Sequence, residues 1–400
     1  MFLFCSNHRH KVSTMARAPT PPAGPKRPIE GRPPHLVRNA GGKGRGARSN
    51  RSGRYEAESR FDVDDGWGEA RGDGDGPAAE RTTHIVERPR TILTFNKSPY
   101  VGFDRSINPY RGCEHGCVYC FARPTHAFMG LSPGLDFETK IFVKPDAGAL
   151  LRREFSAPGY RPRPVALGTN TDPYQPAERR YRIMRDVLTA CAEFGHPLTI
   201  LTKSAGVLRD LDLLSPLAQR GLVRATLSIT TCDPALARAL EPRASAPAKR
   251  FDAVRALADA GVETGVMTAP MIPALNDHEL EALLTRAAEA GASHAGYTMI
   301  RLPLEVSPLF QEWLAAHAPD RAGRVMRHIR EHNGGRDYDA RRSRGREVAS
   351  PYVKLLAARF RAAAARLGLD REPAPLRLNA FRAPNRATPQ LSLFDESSRS

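Results

Sequence analysis

"RGCEHGCVYCFARPTHAF" (residues 111–128) holds three of the chain's six cysteines, Cys113, Cys117 and Cys120, within a span of eight residues. Three thiols are an odd number for disulfides and one short of the four ligands that close a structural zinc site. Thiolates crowded at a C-x3-C-x2-C spacing select soft metals or iron–sulfur clusters. His115 and His126 lie in the same stretch, so a Cys3His zinc site is the competing reading.

Around this loop, short apolar, β-branched runs alternate with helical patterns. The runs are "SINPYRG", "PVALGTN" (164–170), "LTILTKS" (198–204), "VRATLSI" (223–229), "ETGVMTAP" (263–270) and "AGYTMIRLP" (295–303). Between them lie "PAERRYRIMRDVLTACAEFG", "VLRDLDLLSPLAQRG", "APAKRFDAVRALADAG" and "DHELEALLTRAAEAG". Each of these helical stretches ends in a glycine suited to a left-handed cap: Gly195, Gly221, Gly261 and Gly291. The repeat predicts βα units with parallel strands. Six such units predict an α/β fold, a partial (β/α)6 TIM-like barrel with its chemistry at the carboxyl ends of the strands. A doubly wound open sheet has the same periodicity.

The C-x3-C-x2-C loop, with an aromatic residue just before its last cysteine, resembles the cluster loop of the radical S-adenosylmethionine (SAM) enzymes. The resemblance spans residues 95–305. It implies that Cys113, Cys117 and Cys120 ligate three irons of a single [4Fe–4S] cluster and leave the fourth iron for the amino and carboxylate groups of SAM. The reduced cluster would break the S–C5′ bond, and a 5′-deoxyadenosyl radical would abstract hydrogen from substrate. A flavodoxin or ferredoxin would supply the electron. Tyr119 stands at the family's aromatic position, expected against the adenine. "GTNTD" (168–172) ends the second strand, where the family binds the SAM amino group, which nominates Thr169, Asn170, Thr171 and Asp172. Lys203, followed by Ser204, is the expected carboxylate partner. Ser228, with Thr230 nearby, is the expected ribose or carboxylate contact. Arg301 ends the last core strand and faces substrate or a salt-bridge partner.

Within the superfamily, "NTDPYQPAE" (170–178) and "EPRASAPAKRFDAVRALADAGVETGVMTAPMIPALND" (241–277) resemble the spore photoproduct lyase group. That group's lyases reverse a covalent thymine dimer in DNA, using a cysteine near the second-strand end as hydrogen donor. Thr169 and Asn170 stand in that neighbourhood here, so lyase activity on the photoproduct itself is not implied. Cys232, just past the fourth strand, is the alternative donor. Cys191 lies in a helical apolar pattern and is expected in the core.

The chain has 400 residues and a formal net charge of +17, a balance that suits either an anionic partner such as nucleic acid or an arginine-rich proteome. Residues 1–55 carry twelve Lys/Arg against one acid, Glu30, and "FDVDDGWGEARGDGDG" (61–76) then reverses the sign. A disordered arm is therefore expected over 1–90, with "GRGARSNRSGRY" (44–55) available to dock as an extended strand. The barrel is expected over 95–318, a basic extension with a helix near 351–367 over 319–370, and a flexible tail over 371–400. "RAGRVMRHIREHNGGRDYDARRSRGR" (321–346) holds nine arginines and three acids. In the tail, "QLSLF" resembles the peptide by which bacterial repair and replication proteins hold the sliding clamp, through Gln390, Leu391, Leu393 and Phe394. No stretch approaches the roughly 18 apolar residues of a membrane span. Scattered cysteines fit a reducing, cytoplasmic setting. Three readings follow: a radical SAM enzyme on DNA or another nucleic acid, one on a protein or metabolite, and a non-enzymatic iron–sulfur or zinc module that binds nucleic acid.

Overall fold

The computed structural model describes residues 44–56, 81–97, 101–340 and 350–383. The clamp-like peptide at 390–394 and most of the expected N-terminal arm lie outside the described residues.

Among the described residues, ten strands form two sheets: β1 (Thr83–Val86), β2 (Leu93–Phe95), β3 (Arg105–Ile107), β4 (Tyr110–Arg111), β5 (Lys140–Val143), β6 (Val165–Leu167), β7 (Leu198–Thr202), β8 (Val223–Ser228), β9 (Glu263–Met271) and β10 (His294–Met299). The main sheet has seven strands in the order β10-β9-β8-β7-β6-β3-β2. From β3 to β10 every pair is parallel, and β2 closes one edge antiparallel to β3. The six parallel strands coincide with the six runs read from the sequence. Their order follows the chain without reversal. A doubly wound sheet needs a switch point where the order turns back, so that alternative falls and the partial barrel stands.

The strands are wholly or alternately buried: Val165, Ala166 and Leu167 are all inside, and Leu198, Ile200 and Thr202 alternate with half-buried neighbours. Helices between them lay apolar faces on the sheet. Ile183–Phe194 buries Ile183, Met184, Val187, Leu188, Cys191 and Phe194, which places Cys191 in the core as expected. The glycines at 195, 221, 261 and 291 all have positive φ, as caps require.

Three boundaries differ from the sequence reading. Within the expected arm, residues 44–56 pack on the domain, with Ala47 and Ser49 buried. They do so as irregular chain, not as a strand. Also within it, β1 pairs in parallel with β5, which pairs with β4 in a three-stranded sheet. Beyond residue 318, helix Pro319–His332 buries Val325, Met326 and Ile329 in one apolar cluster with Val118, Tyr119, Phe310 and Trp313. The extension is thus part of the body that holds the cysteine loop. Helix Pro351–Arg366 forms where it was expected. Among the described residues, no helix is long and apolar enough to cross a membrane.

Candidate cluster and cofactor site

The cysteine loop leaves β4 and is fastened at almost every residue. Cys113 N–H donates to the Phe137 carbonyl (2.9 Å), Val118 N–H to Leu240 (3.1 Å), and Arg243 N–H to the His115 carbonyl (3.2 Å). Gln175 binds both sides of the turn, accepting from Glu114 N–H at 2.9 Å and donating to the Gly112 carbonyl at 3.2 Å.

Beneath the loop lies a buried ion pair that the sequence reading missed. Arg123 and Glu138 are both fully inaccessible and 2.5 Å apart. Arg123 donates to the carbonyls of Cys117 (2.9 Å), Gly116 (3.2 Å), Pro133 (3.1 Å) and Gly134 (2.9 Å). Glu138 accepts N–H groups from Gly46 (2.9 Å) and Ala47 (2.8 Å), which brings the N-terminal segment across the loop. A Cβ on Gly46 would lie 1.7 Å from the Gly116 carbonyl oxygen, so only glycine allows this crossing.

A second buried pair, Glu241–Arg250, stands at the end of β8. Arg250 donates to the carbonyls of Ser245 (2.7 Å) and Ser228 (2.9 Å). Glu241 accepts the hydroxyls of Tyr119 and Thr230. Burial alone would raise the Glu241 carboxyl, yet Arg250 and then Lys203 hold it below its ordinary value. Both residues sit in "EPRASAPAKR", a stretch noted for its resemblance but not resolved into a pair.

Tyr119, Lys203 and Ser228 converge. The Lys203 ammonium lies 5.8 Å from the Tyr119 ring centroid and donates to Ser228 Oγ at 2.9 Å. Ser228 in turn donates to the Ala269 carbonyl at 3.1 Å and is buried, so its hydroxyl is already engaged. Lys203 is half-buried, and its charge favours the thiolates of Cys117 and Cys120, against Glu241 at the first and with Arg123 at the second.

The residues nominated after β6 divide. Thr169 and Asn170 are half-buried at the strand end. Thr171 and Asp172, also expected as SAM contacts, are hydrogen-bonded within the fold. Thr171 Oγ1 donates to the Tyr110 carbonyl at 2.9 Å. Asp172 accepts from Thr202 Oγ1 (2.7 Å), Lys203 N–H (2.7 Å) and Tyr174 N–H (2.9 Å), and pairs with His115 at 3.4 Å. Burial would raise its carboxyl, but His115 and these donors bring it to about 2. A carboxylate with its lone pairs so occupied braces the loop and has little left for a ligand.

The donor set favours a cluster over a single ion. Cys113 and Cys117 are buried, with Cys120 at the rim. Burial pushes all three thiols up, and at Cys113 the neighbouring Asp172, Cys117 and Cys120 add to the rise. Three thiols within electrostatic reach ionise together only against a multivalent positive centre. Neither histidine of the zinc reading joins them. His115 faces Asp172, and His126 Nε2 is 3.0 Å from the Lys140 carbonyl, its ring packed edge-on to Phe137. Among the described residues, no three His, Cys, Asp or Glu side chains stand as a ready ion site, and Cys113, Cys117 and Cys120 are included in that.

Cys232 turns away from this group. Its backbone N–H donates to Glu279 at 2.6 Å, and its thiol interacts with Arg286, whose guanidinium lies 4.4 Å from the Phe251 ring centroid. These contacts join it to helices Leu280–Glu289 and Pro247–Asp259. Arg301, at the end of β10, is half-buried and within electrostatic reach of Tyr338.

Comparison with known proteins agrees with this geometry. Residues 107–287 match the family described as the Radical SAM superfamily. The uncharacterized protein Rv2578c of Mycobacterium tuberculosis is 39% identical over 292 residues, covering 72% of this chain and 82% of that one. The uncharacterized protein MJ0683 of Methanocaldococcus jannaschii is 27% identical over 184 residues, covering 46% of this chain and 66% of its own length. Among solved structures, two point-mutant forms of spore photoproduct lyase, one carrying dinucleoside spore photoproduct, each give a TM-score of 0.50 at 17% identity, over 71% of this chain and 79% of theirs.

Proposed function

This chain belongs to the radical SAM superfamily, and on that premise we propose that it carries one [4Fe–4S] cluster on Cys113, Cys117 and Cys120, cleaves SAM, and acts on DNA or another nucleic acid in repair or modification. The observation that carries the reading is the set of three thiols on one fastened loop, joined by no histidine and faced by Lys203. Bound there, the cluster supplies the electron that opens the S–C5′ bond of SAM and yields the 5′-deoxyadenosyl radical.

The chain's own residues bind and orient. Lys203 is the cation for the SAM carboxylate, steadied by Ser228. Thr169 and Asn170, at the second barrel strand's carboxyl end, offer polar groups for the amino end. Tyr119, fixed through Glu241 and Thr230, gives a rigid wall at the cluster's edge. The barrel excludes water and stray hydrogen donors. A nucleic-acid substrate is favoured by the net charge of +17 and by the fold likeness to a lyase solved with a dinucleoside photoproduct. Thr169 and Asn170 stand in the neighbourhood where the resemblance puts the lyases' donor cysteine, and the departure argues for a lesion or base other than the photoproduct.

The test is anaerobic reconstitution followed by an iron count and detection of 5′-deoxyadenosine after dithionite reduction. About four irons per chain and 5′-deoxyadenosine that vanishes in Cys113→Ala are expected. Stoichiometric zinc, or iron whose EPR signal ignores added SAM, overturns the reading. DNA binding that weakens steeply with salt separates a nucleic-acid substrate from a protein or metabolite.

A further inference from the structure

A cleft of about 580 Å³ opens beside the loop that follows β9, lined by His278, Arg321, Arg324, Arg327, His328 and Tyr352, with Ala274 and Asp277 at its floor. None of these residues has a part in the thiol site. Arg321, Arg324 and Arg327 recur every third residue along helix Pro319–His332, and all three are exposed. At a rise of 1.5 Å per residue the row spans about 9 Å along the helix axis. That length faces two to three phosphates of one strand, which rise about 3.4 Å each along a duplex.

Negative charge also lies in and beside the cleft, where it pairs with the cleft's own residues, and Asp320 is exposed at the head of the helix. Asp277 accepts the Tyr352 hydroxyl. Glu331 is 3.1 Å from His328 and only loosely near Arg327, at 3.8 Å. The helix that carries the arginines is tied to helix Pro351–Arg366 across the cleft. His328 stacks on Tyr352 with centroids 4.3 Å apart, and Tyr352 Oη also receives the Ala274 N–H at 3.2 Å.

The cleft is also placed on the reacting face. Its floor follows the carboxyl end of β9, the same end of the barrel at which Ser228 closes β8. Asn276, between Ala274 and Asp277, donates to the carbonyls of Thr230 (2.7 Å) and Pro270 (3.0 Å). Thr230 is the residue whose hydroxyl meets Tyr119 and Glu241. One short stretch of chain therefore joins the basic cleft to the cofactor side.

We infer that this cleft grips the sugar–phosphate backbone of DNA, with Arg321, Arg324 and Arg327 on successive phosphates, while the strand's reacting residue lies at the thiol site. The inference rests on the nucleic-acid reading above. Phosphate contacts of this kind set register and orientation without reading sequence.

The experiment measures binding of the full chain to a fluorescein-labelled DNA duplex across a salt series. Three proteins are compared: the unaltered chain, Arg321→Gln/Arg324→Gln/Arg327→Gln, and a charge-matched control, Arg153→Gln/Arg179→Gln/Arg255→Gln, whose arginines are exposed on other helices. The cleft variant is expected to flatten the plot of log K against log salt by about three, at roughly 0.9 for each phosphate no longer neutralised. The control is expected to change it by less than one. Equal losses in the two variants, or no loss in the cleft variant while the unaltered chain binds DNA, overturn the cleft and leave a nucleic-acid substrate standing. No salt-dependent binding by the unaltered chain overturns both. Inorganic pyrophosphate at matched ionic strength should leave binding unchanged. If it displaces DNA from the unaltered chain but not from the cleft variant, the cleft is a small-anion pocket and the inference fails.

Discussion

Arg123–Glu138 and Arg250–Glu241 are equally dry, but they hold different things. The first pair binds main chain: four carbonyls on the arginine side, and two N–H groups of a segment some 90 residues away on the glutamate side. The second pair also holds main chain, at the Ser245 and Ser228 carbonyls, but its carboxylate gathers side chains, Tyr119 and Thr230, with Lys203 in its field. One fixes the shape of the cysteine loop, the other the polarity beside it. Burying an ion pair costs about as much as the attraction returns. Their worth therefore lies in the groups they position, and the two should fail differently.

Removing one member of the loop pair should have the largest effect. Glu138→Gln strands Arg123 as an uncompensated buried charge, expected to cost about 3–5 kcal/mol in urea unfolding and to lower the iron retained on reconstitution. Arg123→Met/Glu138→Leu should cost less than Glu138→Gln alone. A loss below about 1 kcal/mol for Glu138→Gln would break the contrast.

Asp172→Asn comes next. The native carboxyl sits at about 2 against an ordinary 3.8, so it adds stability above the unfolded value, and that stability is lost as pH falls from about 4 toward 2. At 1.36 kcal/mol per unit this amounts to about 2 kcal/mol at neutral pH. The Asn variant should lose that much at pH 7 and show a flatter dependence of melting temperature between pH 2 and 5.

Tyr119→Phe probes the other pair. It removes one hydroxyl from Glu241, with about 1 kcal/mol lost. Iron content should hold while SAM binding, followed by calorimetry, weakens. An iron loss as large as in Glu138→Gln would show that the two pairs do the same work. Cys232→Ala should do least, within about 1 kcal/mol, with 5′-deoxyadenosine yield unchanged.

The barrel was legible because its six strands are short β-branched runs separated by helices that end in glycine, and each signal is local. The thiols drew notice by their spacing, which left zinc and iron–sulfur both open, and the resemblance chose between them. Lys203 and Ser228 were singled out as strand-end residues, but their meeting with Tyr119 of the cysteine loop is visible only in the structure. The ion pairs were not. Glutamates and arginines normally lie on the surface, and nothing in "FARPTHAF" or "DFETK" marks Arg123 and Glu138 as partners. The bonding of Asp172 was hidden for a related reason. A polar residue at a strand end looks available until its neighbours are known, and here the donors come from β7 and from the cysteine loop. Residues 44–55 were expected to dock as a strand, and they dock as irregular chain, because a basic, glycine-rich stretch lacks the apolar content to fold alone. It orders through backbone N–H groups, which composition does not record.

The crossing of Gly46 over Gly116 has a practical consequence for anyone trimming this polypeptide. A fragment begun at residue 95, where the repeating units start, would contain every strand of the barrel's parallel set and all three thiols. It would also leave the Glu138 carboxylate facing the gap where two amide donors had been. The smallest piece that behaves like the whole is therefore set by a glycine far upstream of the motif it serves.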